Sequence, residues 1–245
     1  MNICLFTEQE INSPLSFDDE RAQHLIKILH KKAGESFVAG IIGGKSGVAT
    51  IESIDEQNKS ITFSFVPDGN GKPLSNLIMI IGFPRPIQLK RLLRDIAALG
   101  VCEVHLTGTE LGEKSYMQST LVEKGSAYKM LLDGTVQAGS THVPELFLHK
   151  SLKECLEEIK KAEKFKKLIA LDNKNPSCSL GSVAFTKDDC VVAAIGSERG
   201  WTDKERKLLE DNGFIRCGMG ERIMRTETAA TVAGAIILNS MGVMN

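Results

Sequence analysis

Two stretches near the carboxyl end decide how the chain is read: Ile195-Gly196-Ser197-Glu198-Arg199-Gly200-Trp201, and Gly218-Met219-Gly220-Glu221-Arg222-Ile223-Met224-Arg225-Thr226-Glu227-Thr228-Ala229. Each follows a short apolar run, Cys190 to Ile195 in the first case and Phe214 to Cys217 in the second, so two glycine-bearing loops leave the C-terminal ends of two candidate strands. Open α/β sheets hold their ligands at that edge. Glycine lets main-chain N–H and C=O groups come within hydrogen-bonding distance of a planar ligand, and a flat heterocycle can then be read by backbone alone. In most proteins such loops are only turns. The charges sharpen the case, because Glu198, Arg222, Arg225 and Glu227 gather on or beside these loops. Ion pairing and helix capping are the alternative reading of the same four residues, with Glu227 favouring the positive end of the helix that follows.

Working back from these loops, strand and helix patterns alternate, which implies a parallel α/β sheet. The candidate strands are Leu77–Ile81, Glu103–Thr107, Glu145–His149, Lys167–Leu171, Cys190–Ile195 and Phe214–Cys217. Between them, Ile87–Leu99 puts Leu89, Leu92, Leu93 and Ile96 on one helical face. Residues 151 to 164 open with Ser151 and Glu154 in capping-box spacing, and Thr202 and Glu205 repeat the box before Lys207–Asn212. The last helix, about Thr226 to Met241, is crowded with small residues that allow close backbone approach.

Before Pro73 the rhythm differs. A helix is expected over Asp18–Ala33, stopped by Gly34, and then a small antiparallel β unit over Ser36–Ile42, Val48–Ile54 and Ile61–Val66 with a turn at Asp55–Ser60. Pro67 to Pro73 reads as a linker, and the domain boundary is placed there.

With 245 residues, 42% hydrophobic and 25% charged, the composition is that of an ordinary globular protein, not a disordered or fibrous one. No apolar run approaches the roughly 18 residues needed to span a bilayer, and the N-terminus lacks a secretory signal, so a cytoplasmic protein with no membrane partner is expected. Six scattered cysteines form no C-x-x-C pair and are expected to be buried thiols. His24, His30, His105, His142 and His149 show no ligand spacing, and no metal is expected. Gly44-Lys45-Ser46 looks like the end of a P-loop, but the first glycine of that motif falls on Ala39 and no helix follows. Neither a dinucleotide fingerprint nor a G-x-S-x-G elbow is present. The net charge of −1 makes any nucleic-acid site local.

The two loops resemble the paired signatures G-P-E-G-G-[FL] and L-G-x-R-I-L-R-x-E-T-A of the RsmE family of small-subunit ribosomal RNA methyltransferases. His24-Leu25-Ile26-Lys27-Ile28-Leu29 is similar to that family's early H-L-x-x-V-L-R, and Leu99-Gly100-Val101 to its E-L-G-V, so the resemblance spans nearly the whole chain. It departs at His30, Asp95 and Ala98, and in the first loop at Ser197 and Arg199. The resemblance implies a PUA-like β-barrel RNA-binding domain over 1–72 and a SPOUT-type α/β methyltransferase domain with a deep trefoil knot over 73–245. It also implies S-adenosylmethionine as cofactor, methylation of N3 of a uridine in the decoding region of the small-subunit RNA, and a homodimer that acts on ribosomal RNA or the assembled small subunit. A methyltransferase acting on another RNA, and a noncatalytic RNA- or ribosome-binding protein of the same fold, stay open as alternatives.

On that footing, cofactor contact is expected from Leu171, Ile195, Gly196, Gly200, Met219, Gly220, Ile223 and Met224, mainly through backbone, with apolar side chains around the adenine. Uridine N3 carries a proton that must leave. Arg225 is expected to stabilise the resulting anion through its cationic fork, and Glu198 and Glu227 are candidate bases or orienters. RNA contact is assigned to His24, Lys27, Lys90, Arg91, Arg94 and Arg222, which a solvated surface explains as well.

Overall fold

The computed structural model describes residues 2–119, 125–161 and 167–244. Contacts divide the chain into two compact units, Met1–Pro73 with Thr135–Val143, and Leu74–Gly134 with Pro144–Asn245. The architecture is mixed α/β, with a five-stranded sheet in the first unit and a seven-stranded sheet in the second.

The five-stranded sheet runs in the order β1(Cys4–Phe6), β3(Ser36–Ile41), β4(Ser46–Asp55), β5(Ser60–Gly69), β2(Leu15–Ser16). Its pairs are antiparallel except β1 with β3. Alternation along β3 and β4 turns Phe37, Ala39, Ala49 and Ile51 into the core, where Phe6, Leu25 and Ile61 meet them. At the β4–β5 turn, Asp55 Oδ1 accepts from the N–H groups of Gln57 and Asn58, both at 2.9 Å. The strand β5 continues through Pro67 to Gly69, so the expected linker shrinks to the few residues before β6.

The helix expected over Asp18–Ala33 is much shorter. It is α-helical over Glu20–Gln23, widens to a π-helical turn over His24–Ile28, and ends where His30 takes a positive φ of 52°. Lys31 N–H returns to the carbonyl of Leu25 at 2.9 Å and closes it, leaving Lys31 to Ala33 outside. The apolar periodicity supports only the stretch that buries Ala22 and Leu25. Thr135–Val143 joins this unit through main chain: Gly43 N–H donates to Thr141 O, and Thr141 N–H to Gly71 O.

The seven-stranded sheet has the order β10(Cys178–Ser179), β12(Ile215–Gly218), β9(Lys167–Leu171), β11(Val191–Ile195), β6(Ser75–Gly82), β7(Val101–Thr107), β8(Glu145–His149), and every pair is parallel. Burial on both faces explains the near-continuous apolar runs: all of β11 and the last six residues of β6 are buried. The register sets Ile195 beside both Leu171 and Ile81, and Cys217 beside Leu171, so β6, β9, β11 and β12 end together at one edge.

Helices Pro86–Leu99, Leu152–Lys160, Asp203–Asp211 and Thr226–Ser240 match the periodic segments, with the capping box at Thr202 and Glu205 fully formed. Residues 162–164 of the expected 151–164 helix lie outside the described residues. The helix Ser126–Ala138 escapes a periodicity reading because Gly134 interrupts it. A Cβ there would strike the main chain of Arg94, so the glycine permits close approach to the Pro86–Leu99 helix. No helix among the described residues is long and apolar enough to cross a membrane.

Candidate active site

The shared edge of β6, β9, β11 and β12 carries a cavity of about 270 Å³. All eight residues expected to touch the cofactor line it: Leu171, Ile195, Gly196, Gly200, Met219, Gly220, Ile223 and Met224. The loop after β11 is a tight, hydrogen-bonded turn, with Gly200 N–H donating to Ser197 O at 2.8 Å and Gly200 at a φ of 72°. A Cβ on Gly82 would meet the main chain of Ser197, and one on Gly196 would lie 3.0 Å from Gly200 main chain. This part of the wall is therefore backbone against backbone. Two side chains tie the loops in place: Trp201 Nε1–H donates to Leu171 O at 3.1 Å, and Thr226 Oγ1–H to Gly196 O at 3.3 Å.

The cavity also holds Asp172, Asn173, Arg206 and Cys217, which no motif singles out, and Trp201, Thr226 and Ala229, which lie in the two quoted stretches without an assigned role. Asp172 has a side chain only 2% exposed, ion-paired to Arg206 at 2.6 Å and Arg216 at 3.5 Å. Burial opposes its ionisation, but the guanidinium of Arg206 and the N–H of Lys174 outweigh it and hold the carboxyl below the usual carboxylate range. Arg206 sits on a helix and Asp172 just past a strand, 34 residues apart, and that separation hides the pair from sequence spacing. Ser197 Oγ is buried and has no hydrogen-bond partner in the protein, which leaves a polar atom for a ligand to satisfy.

Two further spaces lie beside this cavity. One, of about 280 Å³, is lined by Arg85, Gln88, Glu198, Ile223, Met224 and Arg225. The other, of about 130 Å³, has Phe83, Arg85, Tyr116 and Glu198 in its wall. Glu198 belongs to all three linings, and its Oε1 lies 3.3 Å from Arg85 Nε. Arg225 is the exposed residue that precedes the Thr226–Ser240 helix, and its side chain makes no capping bond. Glu227 is placed elsewhere: it is buried in the first turn of that helix and lines none of the three spaces. Arg199, where the resembling motif has glycine, ion-pairs with Glu113 at 3.6 Å.

Of the residues assigned to RNA, Arg222 lines the glycine-walled cavity, and Lys90 and Arg91 are exposed on the Pro86–Leu99 helix. Arg94 is held by Asp133 at 3.0 Å. In the first unit His24 and Lys27 lie on the π-helical turn, where His24 Nε2 is buried without a partner and burial lowers the pKa of the ring.

The fold also assembles a group that sequence spacing hides. His105, His149 and Cys155 bring their ligand atoms within 4.8 Å of one another, from β7, β8 and the helix after β8. His105 Nδ1 and His149 Nε2 are 2.9 Å apart in rings tilted by only 6°, the geometry of a ring-to-ring N–H···N bond. The facing lone-pair positions a metal would need are occupied by that bond until a ring turns. Among the cysteines, Cys4, Cys155 and Cys217 are buried as expected, whereas Cys102, Cys178 and Cys190 are only half-buried, and none of the six is in a disulfide.

A family model for an RNA methyltransferase domain matches residues 70–238. The chain is 42% identical over 244 residues to the ribosomal RNA small subunit methyltransferase E of Treponema pallidum, covering 97% of this chain and 91% of the relative. It is 34% identical to ribosomal RNA small subunit methyltransferase E 1 of Borreliella burgdorferi, covering 98% of each. Among solved structures, a ribosomal RNA small subunit methyltransferase E from Neisseria gonorrhoeae bound to S-adenosyl methionine superposes with a TM-score of 0.78 at 20% identity, covering 98% of this chain and 97% of that one. A probable rRNA-methyltransferase from Porphyromonas gingivalis gives 0.81 at 20% identity over the full length of both chains. At these identities the structural likenesses establish the fold.

Proposed function

The chain belongs to the RNA methyltransferase family, in the group named ribosomal RNA small subunit methyltransferase E, and from that premise we propose that it transfers a methyl group from S-adenosylmethionine to N3 of a uridine in the decoding region of small-subunit ribosomal RNA. The observation that carries this reading is the position of Glu198, a residue that lines both the glycine-walled cavity and the charged cavity holding Arg225. A cofactor seated in the first and a base seated in the second would share a wall, the proximity that a two-substrate transfer requires.

The residues present fit the cofactor. Leu171, Ile195 and Met219 offer apolar surface to an adenine, the main chain of Gly196, Gly200 and Gly220 can read its edge, and the unpartnered Ser197 Oγ and the Asp172 and Asn173 side chains supply polar contacts. When bound, that cofactor supplies an electrophilic methyl carbon on a positively charged sulfur. Arg225 then stabilises negative charge on a uracil carbonyl as the N3 proton departs, and Glu198 accepts that proton or orients the base. Glu227 acts from behind, through the helix end it occupies. Lys90, Arg91, Arg94 and Arg222 with His24 and Lys27 complete the RNA contact. The same reading gives the first unit the role of a PUA-like barrel that binds RNA, the second a SPOUT domain with a deep trefoil knot, and the protein a homodimer working in the cytoplasm.

The test is transfer of labelled methyl to small ribosomal subunits lacking the modification, followed by mapping of the labelled nucleotide. Label at N3 of the decoding-region uridine is the expected result. Label at another nucleotide would make the chain a methyltransferase with a different target, and the altered Ser197 and Arg199 would be the first residues to revert.

A further inference from the structure

We propose that Arg85 is a substrate-binding residue that grips a phosphodiester of the acceptor RNA strand beside the target base. The inference rests on the reading of the charged cavity as the acceptor site. Arg85 is the last residue before the Pro86–Leu99 helix, in a loop after β6, and no motif marks it. Three observations single it out. It lines both of the flanking spaces and is absent from the lining of the glycine-walled cavity, so it belongs to the acceptor side. Its guanidinium is ion-paired with Glu198 at 3.3 Å in a space that Tyr116 also lines, yet its side chain remains 63% exposed. A guanidinium carries five N–H donors in a rigid fork, so one ion pair through Nε leaves the terminal N–H donors for a second anion. Finally, the larger flanking space contains Arg85, Arg225 and one carboxylate, Glu198, and carries a net charge of +1 that one phosphodiester would neutralise.

This assignment separates two arginines on one wall. Arg225 meets charge that develops on the base during transfer, whereas Arg85 meets charge that the RNA carries throughout. Loss of Arg85 should therefore weaken binding of substrate and of transition state alike, raising KM and leaving kcat nearly alone. It should also remove about one phosphate contact from the salt dependence of binding, a slope change of about 0.7 to 0.9 in log K against log salt. A residue that merely holds the loop would not move that slope.

The experiment compares wild type, Arg85→Ala and Arg85→Lys in two parallel assays with unmodified small subunits: equilibrium binding across a salt series, and labelled-methyl transfer. S-adenosylmethionine affinity and thermal midpoint serve as controls for folding. The expected result for Arg85→Ala is a KM raised at least about tenfold, kcat and cofactor affinity within about twofold, and a salt slope lowered by about 0.7 to 0.9. Arg85→Lys should restore the slope and only part of the affinity, because it keeps the charge and loses the fork. An unchanged slope in Arg85→Ala would overturn the proposal. A fall in kcat with binding intact would do so as well, by placing Arg85 on the base or behind Glu198. The binding slope is read without turnover, so failure of wild type to label the uridine would overturn the proposed reaction without touching the result for Arg85.

Discussion

The glycine-walled cavity and the charged cavity beside it share Glu198, Ile223 and Met224 but differ in the rest of their walls. The first is walled by glycine main chain and apolar side chains on loops that leave β9, β11 and β12, with Gly82 at the end of β6 behind them. The second takes its charge from Arg85, Glu198 and Arg225, which come from three places in the chain, beside Gln88, Ile223 and Met224. A main-chain wall holds a ligand by shape, and apart from the Asp172–Arg206 pair it is altered mainly through the glycines themselves. A side-chain wall supplies charge, and each of its members can be removed singly.

Four changes break or sharpen that contrast. Gly196→Val has the largest expected effect, because a Cβ there begins 3.0 Å from the main chain of Gly200 and the branched side chain forces the turn open. Affinity for S-adenosylmethionine, read by calorimetric titration, should fall about 100-fold or more, roughly 2.7 kcal/mol. Retention of affinity within threefold would break the main-chain account. Arg206→Ala comes next. It removes the closest partner of the buried Asp172 and should weaken cofactor binding about tenfold in the same titration, consistent with one charged hydrogen bond worth roughly 1.5 kcal/mol.

A third change lies outside both cavities and tests whether the fold's pH response is separate from them. Burial lowers the pKa of both His105 and His149 below the ordinary 6.5. The unfolded chain therefore takes up protons that the native pair resists, so stability is full above about pH 6.5 and is lost as pH falls below it. The thermal midpoint should drop by a few degrees between pH 7.5 and pH 5.5, and His149→Asn should flatten that drop while cofactor affinity stays put. A drop equally steep in the variant would remove the pair as its cause. The smallest effect is expected of Glu227→Gln. Its side chain lines neither cavity, so initial rates of methyl transfer should change by less than about threefold, the size of a helix-end charge interaction.

The same contrast explains what could be read from the sequence. Seven of the eight expected residues lining the glycine-walled cavity fall in two short stretches that follow strands, and the eighth, Leu171, ends an apolar strand run, so the lining is legible from sequence. Asp172 with Arg206, Arg85 with Glu198, and His105 with His149 and Cys155 are pairings across strands and helices that only the sheet order brings about. The parallel strands were legible because burial on both faces leaves nearly uninterrupted apolar runs. Periodicity overextends the N-terminal helix because His30 ends it in a left-handed conformation that no glycine announces, and it hides the Ser126–Ala138 helix because Gly134 serves packing against Arg94 at the expense of propensity.

The division of labour between the two walls is tested most directly by Arg225→Ala, with cofactor affinity and single-turnover methyl transfer measured on the same preparation. The account predicts cofactor affinity within a few fold of wild type and a transfer rate lower by about 10²- to 10³-fold, the usual loss when a stabiliser of developing negative charge is removed. A variant that loses its cofactor affinity in proportion to its rate would contradict it, and would place Arg225 on the wall of the cofactor cavity.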